Sequence, residues 1–158
     1  MGTERIIIRR AIAKDAEGMI DVLNSTRLFE EAWAGDEDWT KEALRKALIT
    51  ENLVLLVAEI NRRIVGFADY MIFPSLWECK YQGFIIDLFV HKTFQDKGIG
   101  GKLIEAVVQR SDAARLGELH VSTGLENARA RRLYVRHGFT EEQPMLERSG
   151  KCFGEDQR

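Results

Sequence analysis

Two hydrophobic periods alternate along this chain. The stretches "RIIIRRAI" at 5–12, "NLVLLVAEI" at 52–60, "IVGFADYMIF" at 64–73 and "YQGFIIDLFV" at 81–90 are short, apolar and rich in β-branched and aromatic residues, the signature of strands. "NRR" at 61–63 separates the second and third, which predicts a hairpin. Between them lie segments with helical spacing. "DAEGMIDVLNS" follows Asp15 as its predicted cap, and "KEALRKALI" follows Thr40, with the polar residues 30–42 expected as a turn. Leu103, Ile104, Val107 and Val108 form a third apolar stripe. "ELHVST" is a further short strand, and "NARARRLYVRHGF" a helix from Asn127 that Gly138 should stop. The predicted order is β-α-α-β-β-β-α-β-α-β, a mixed α/β domain with no repeat, linker or low-complexity segment.

Composition narrows the function. A chain of 158 residues has the length of one domain, here 1–150 with a loose tail at 151–158. Lys plus Arg number 23 against 25 Asp plus Glu, so no basic excess points to nucleic acid or an anionic membrane. No apolar run nears the roughly 18 residues of a membrane span. "MGTERIIIRR" lacks a secretory core, and Ile6 stands where a myristoylation signal needs Ser or Thr. Cys79 and Cys152 are too few for a disulfide framework or zinc knuckle. His91, His120 and His137 lack metal-ligand spacing. The expectation is a cytoplasmic protein with reduced thiols and no metal.

The residues that change this picture are Gly98, Gly100 and Gly101, placed where a helix begins and where glycine costs roughly 1 kcal/mol per position. A strand leading through a glycine-rich turn into a helix is an anion site, because unpaired N–H groups and the positive end of the helix dipole face the turn. The Walker A pattern fails, since Gly101-Lys102 is followed by Leu103, and G-x-G-x-x-G fails at the same residue. What remains is Gln95-Asp96-Lys97-Gly98-Ile99-Gly100.

That stretch resembles the pyrophosphate loop of the Gcn5-related N-acetyltransferase (GNAT) family, Gln or Arg, two residues, Gly, one residue, Gly or Ala. Leu88-Phe89-Val90 stands ahead of it as the family's strand ending does. Asn127, Tyr134, Gly138 and Phe139 in "GLENARARRLYVRHGF" fall in the register of a second family element. "IIIRRAIAKDAEGMIDVL" is similar to its first strand and helix. Within the family the nearest likeness is to the polyamine and diamine acetyltransferases.

The resemblance implies an α/β (α+β) GNAT fold, with a mixed sheet of about six or seven strands, about four helices and a splayed strand pair that holds coenzyme A. It implies acetyl-CoA as co-substrate and direct attack by an amine in a ternary complex. Leu88, Phe89 and Val90 would pair with the pantetheine arm, and Gln95, Asp96, Lys97, Gly98, Ile99, Gly100 and Gly101 would cradle the pyrophosphate. Asn127 and Ala130 would complete the cofactor site. Tyr134 holds the place of the general acid, although a helix residue packing on the core has the same spacing. Asp87 is an acidic residue inside an apolar run, a base for the acceptor ammonium or a partner of a structural Arg or Lys. Where polyamine acetyltransferases carry a Glu-Asp pair, this chain has Ile86-Asp87, so only the Asp matches.

Acceptor residues follow from the same likeness. Glu31 and Trp33 lie in an acidic, tryptophan-bearing segment that would border the amine, with Glu78 extending the rim, and a small cationic amine fits such a surface. A solvated acidic loop with a tryptophan in the core fits it too. Protein N-terminal or lysine acetylation and a non-catalytic coenzyme A-binding module are the alternatives. The family's habit implies a homodimer; no stretch of the chain marks the interface.

Overall fold

The computed structural model describes residues 5–26, 37–146 and 148 of the chain, with the backbone alone at 37–39. Five strands and four α-helices are seen among the described residues. They run β1 (Ile7–Arg10), α1 (Ala16–Ser25), α2 (Glu37–Ile49), β2 (Leu53–Ile60), β3 (Arg63–Ser75), β4 (Lys80–Val90), α3 (Ile99–Ala113), β5 (Leu119–Val121) and α4 (Ala128–Arg136). The sheet order is β1-β2-β3-β4-β5. The first four strands pair antiparallel and β5 joins β4 in parallel. The mixed α/β architecture is the one expected, with five strands among the described residues where six or seven were expected. Residues 139–146 after α4 add no strand, in keeping with "TEEQP", which offers consecutive polar side chains and a proline that cannot donate to a ladder.

Alternation along the strands splits the core between the two faces of the sheet. On one face Leu56, Ala58, Val65, Ala68, Tyr70 and Ile85 pack against Ile99, Leu103, Ile104 and Val107 of α3 and Tyr134 of α4. On the other, Leu55, Val57, Ile64 and Phe67 meet Met19, Ile20, Val22 and Leu23 of α1 and Leu44 of α2. Gly18 lets α1 approach closely, since a Cβ there would lie 2.8 Å from Ile64.

Local chemistry differs from expectation at two helix starts. Asp15 does not cap α1 with its side chain. Its carboxylate accepts instead from Arg9 at 2.7 and 2.8 Å and from the Ile12 N–H at 2.8 Å, and Arg9 holds it well below the usual carboxylate range. Thr40 is not a cap either, because α2 already begins at Glu37. The β2–β3 hairpin turns through Asn61 and Arg62, both left-handed at φ 50° and 65°, the geometry of a tight primed turn. No helix among the described residues is long and apolar enough to cross a membrane.

Candidate active site

The parallel ladder between β4 and β5 is short. Gly83, Phe84 and Ile85 pair with Leu119, His120 and Val121, and there β5 ends while β4 continues to Val90. On its other side β4 stays paired with β3, Ala68 opposite Leu88, Phe67 opposite Phe89 and Gly66 opposite Val90. Residues 86–90 therefore present one free backbone edge. A bulge begins this opening: Tyr70 faces Ile85 and Asp69 faces Asp87, so Ile86 has no partner. Such an extra residue bends its strand and adds twist, which directs β4 away from β5. Leu88 and Val90 pack toward the α3 face, and Phe89 lies on the α1 face 5.4 Å from Phe67.

The edge leads into the glycine loop. Gln95 Nε2 donates to the Val90 carbonyl at 3.2 Å, tying the loop to the strand end. Asp96 and Gly98 take left-handed conformations at φ 63° and 78°. Gly98 is the N-cap of α3 and no side chain caps that helix; the first return bond is from Lys102 N–H to the Gly98 carbonyl at 3.1 Å. The N–H groups of Ile99, Gly100 and Gly101 thus have no acceptor within the helix. Ile99 buries its side chain completely and offers only backbone. At Gly98 the positive φ calls for glycine, whereas a Cβ at Gly100 would meet Leu133 at 3.5 Å and Val90 at 3.8 Å, ordinary contacts. Lys97 sits 4.8 Å over the Phe94 ring, and Lys102 is exposed. A free strand edge that runs into an uncapped, glycine-lined helix start fits an elongated ligand with amides and a pyrophosphate.

Helix α4 closes this region. Asn127 Oδ1 caps it by accepting the Ala130 N–H at 3.0 Å, and Ala130 packs on the core. Gly138, at φ 94°, stops the helix as expected. Tyr134 is buried, its ring 5.6 Å from Phe139, and burial raises its pKa. No described residue hydrogen-bonds its hydroxyl. Arg129, absent from the expected set, reaches across to the loop, 2.9 Å from Asp96 and 3.2 Å from Gln95 Oε1.

On the opposite face stands Asp87. It keeps solvent contact, yet surrounding protein raises its pKa, and no described cation pairs with it. Its backbone N–H donates to Asp69 Oδ1 at 2.9 Å. Asp69 is buried, and desolvation followed by the charge of Asp87 pushes it up to about 7. Sequence reasoning passed over Asp69, although an acidic residue inside "IVGFADYMIF" carries the same signal that singled out Asp87. Glu78 lies in the turn between β3 and β4, on the order of 20 Å along the strand from Asp87 at about 3.3 Å per residue. The two carboxylates do not meet. Glu31 and Trp33 fall outside the described residues.

A family model described as "Acetyltransferase (GNAT) family" matches residues 19–139. The chain belongs to the GNAT acetyltransferase family. It is 31% identical over 136 residues to the uncharacterized N-acetyltransferase YhfO of Bacillus subtilis, covering 85% of this chain and 90% of that one. It is 33% identical over 79 residues to the spermine/spermidine N(1)-acetyltransferase of Bacillus subtilis, 48% of this chain and 52% of that enzyme. A solved aminoglycoside N-acetyltransferase in complex with CoA shares the fold at 21% identity, with a TM-score of 0.75 over 96% of this chain and 98% of that one. This GNAT protein is accordingly an acyltransferase, an N-acetyltransferase that uses acetyl-CoA.

Proposed function

We propose that the acetyl group goes to a primary amine on a small cationic acceptor such as a polyamine or diamine. The observation that carries this reading is the pair of carboxylates, Asp69 and Asp87, at the bulge where β4 leaves β5, with no described cation to neutralise them. An ammonium group is the natural complement of such a pair. The stretch of identity with a spermine/spermidine acetyltransferase supports the same class.

The chain's residues would divide the work as follows. Backbone groups of residues 86–90 hold the pantetheine arm, and the N–H groups of Ile99, Gly100 and Gly101 hold the pyrophosphate, with Asp96, Lys97 and Gly98 shaping the turn. Bound acetyl-CoA supplies the activated thioester. Asp87 takes a proton from the acceptor ammonium, whose nitrogen must be neutral to attack and whose ordinary pKa is about 10.4 if lysine-like. Tyr134, kept protonated by burial, gives a proton to the departing thiolate, whose conjugate acid has an ordinary pKa of about 8.5. Asn127 and Ala130 position α4 against the cofactor.

A thiol-release assay with acetyl-CoA and matched amines tests the acceptor class. Spermidine and putrescine should turn over well, and lysine and neutral-tailed peptide N-termini poorly. Preference for peptide N-termini or protein lysines would reassign the acceptor to protein. Tight coenzyme A binding without turnover of any amine would point to the binding module.

A further inference from the structure

Among the described residues, few buried charged groups lie outside the roles already given. Asp15 is satisfied by Arg9 and Ile12. His91 is held between Thr93 and Arg63. Asp69 is different. Its direct cross-strand neighbour is another aspartate, and the bond to the Asp87 N–H is the one its carboxylate makes to another described residue.

We propose that Asp69 is a positioning residue for acceptor deprotonation. Its carboxylate fixes the backbone of Asp87 at the bulge and shares with Asp87 the proton released by the incoming ammonium. This rests on the reading of Asp87 as the acceptor-side carboxylate. The geometry has three parts. Asp69 and Asp87 are register partners one step from Phe67 and Phe89 on the same face of the sheet, so the two side chains stand side by side. The unpaired Ile86 shifts the ladder, and the Asp69 side chain receives the Asp87 N–H at that point. Burial leaves Asp69 little water, so a negative charge there beside Asp87 is costly and Asp69 holds a proton more readily than an ordinary aspartate.

The balance is simple. An N–H bond of the ammonium breaks, an O–H bond forms on the carboxylate pair, and the lone pair stays on nitrogen. The proton leaves to solvent after transfer.

Other charges do not explain the behaviour of the pair. On β2, the residue opposite Asp69 is Leu55. On α1 the ionisable groups are Glu17 and Asp21, the latter held by Arg63 at 3.0 Å. On α2, Glu42 lies between Arg45 and Lys46, each 3.7 Å away, and Lys41 completes the described set. Among the described residues Asp87 is the charged neighbour that acts on Asp69, and the rise of Asp69 to about 7 sets a rate limb near neutrality.

The test measures kcat/KM for spermidine against pH, from about 5.5 to about 9, in wild type, Asp69→Asn and Asp87→Asn. Asn keeps an oxygen for the Asp87 N–H and removes the titration. Asp69→Asn should melt no lower than wild type and bind acetyl-CoA unchanged, yet lose about tenfold or more in kcat/KM and lose the limb near 7. An unchanged pH profile in Asp69→Asn, with Asp87→Asn inactive, overturns this proposal and leaves the role of Asp87 intact. Full activity in Asp87→Asn overturns both. Should Asp69→Asn fail to fold, carboxyl carbon NMR of the wild type decides: an aspartate titrating near 7 supports the pair, and none above about 6 overturns it.

Discussion

Ile85 and Val121 are the last residues that β4 and β5 pair, and the next residue of β4, Ile86, is a bulge. The end of the ladder and the start of the bulge coincide. That coincidence creates an open edge without fraying the strand, because β3 continues to hold β4 from its other side.

Hydrogen exchange should therefore locate the cofactor. Acetyl-CoA is expected to slow exchange at amides on the free edge within 86–90 and at Ile99, Gly100 and Gly101, with little change in β1 or β2. Protection confined to other regions would contradict the assigned site.

Gly101→Asp should separate affinity from stability. An acidic residue in the first turn of α3 complements the helix dipole, worth about 0.3–1 kcal/mol, and a Cβ there meets only the His137 ring, at 3.6 Å, and Leu133. The melting temperature should hold or rise. The same charge opposes a pyrophosphate, so acetyl-CoA affinity should fall about tenfold or more. Unchanged affinity would show that no phosphate lies at the helix start. Gly98→Val is a poorer probe, because φ 78° strains any β-branched residue whether or not a ligand binds.

Arg9 and Asp15 should dominate acid sensitivity. The folded-state pKa of Asp15 is depressed, so its stabilisation is present above the unfolded value of about 4 and is lost as pH falls below it. Asp15→Ala removes two of the hydrogen bonds of Arg9, leaving it those to Glu59, and leaves the Ile12 N–H without its acceptor, with an expected cost of about 2–3 kcal/mol by urea unfolding at neutral pH. A cost below about 0.5 kcal/mol would show the cluster to be an exposed ion pair in effect.

Asp69 acts in the opposite direction. Its folded-state pKa is raised from 3.8 to about 7, so the folded protein binds the extra proton and stability declines as pH rises between those values. The full shift corresponds to about 4 kcal/mol at most. Asp69→Asn should flatten that decline and unfold at higher urea than wild type at pH about 8. An equal pH slope in both proteins would contradict the raised value.

The loop was legible because its chemistry is local: Gln95, Gly98 and Gly100 must be adjacent to make a turn and a helix start. Asn127 and Gly138 were legible for the same reason, as a cap and a stop on one short helix. Asp69 was not, because its meaning depends on a cross-strand partner that register alone supplies. The start of α2 was misplaced by a polar stretch whose Glu37 and Asp38 suit a helix's first turn as well as a loop. Asp15 resembled a cap by spacing, and a strand residue, Arg9, claimed its carboxylate.

The most direct test of the whole account is single-turnover transfer from labelled acetyl-CoA to spermidine, with the amine product identified by mass, in wild type and Tyr134→Phe. Acetylated spermidine is expected from the wild type, and a rate lower by about a hundredfold or more from the variant, with acetyl-CoA affinity and melting temperature preserved. Equal rates in the two proteins would remove Tyr134 as the proton donor, and acetyl-CoA bound without acetylated amine would contradict the proposed acceptor.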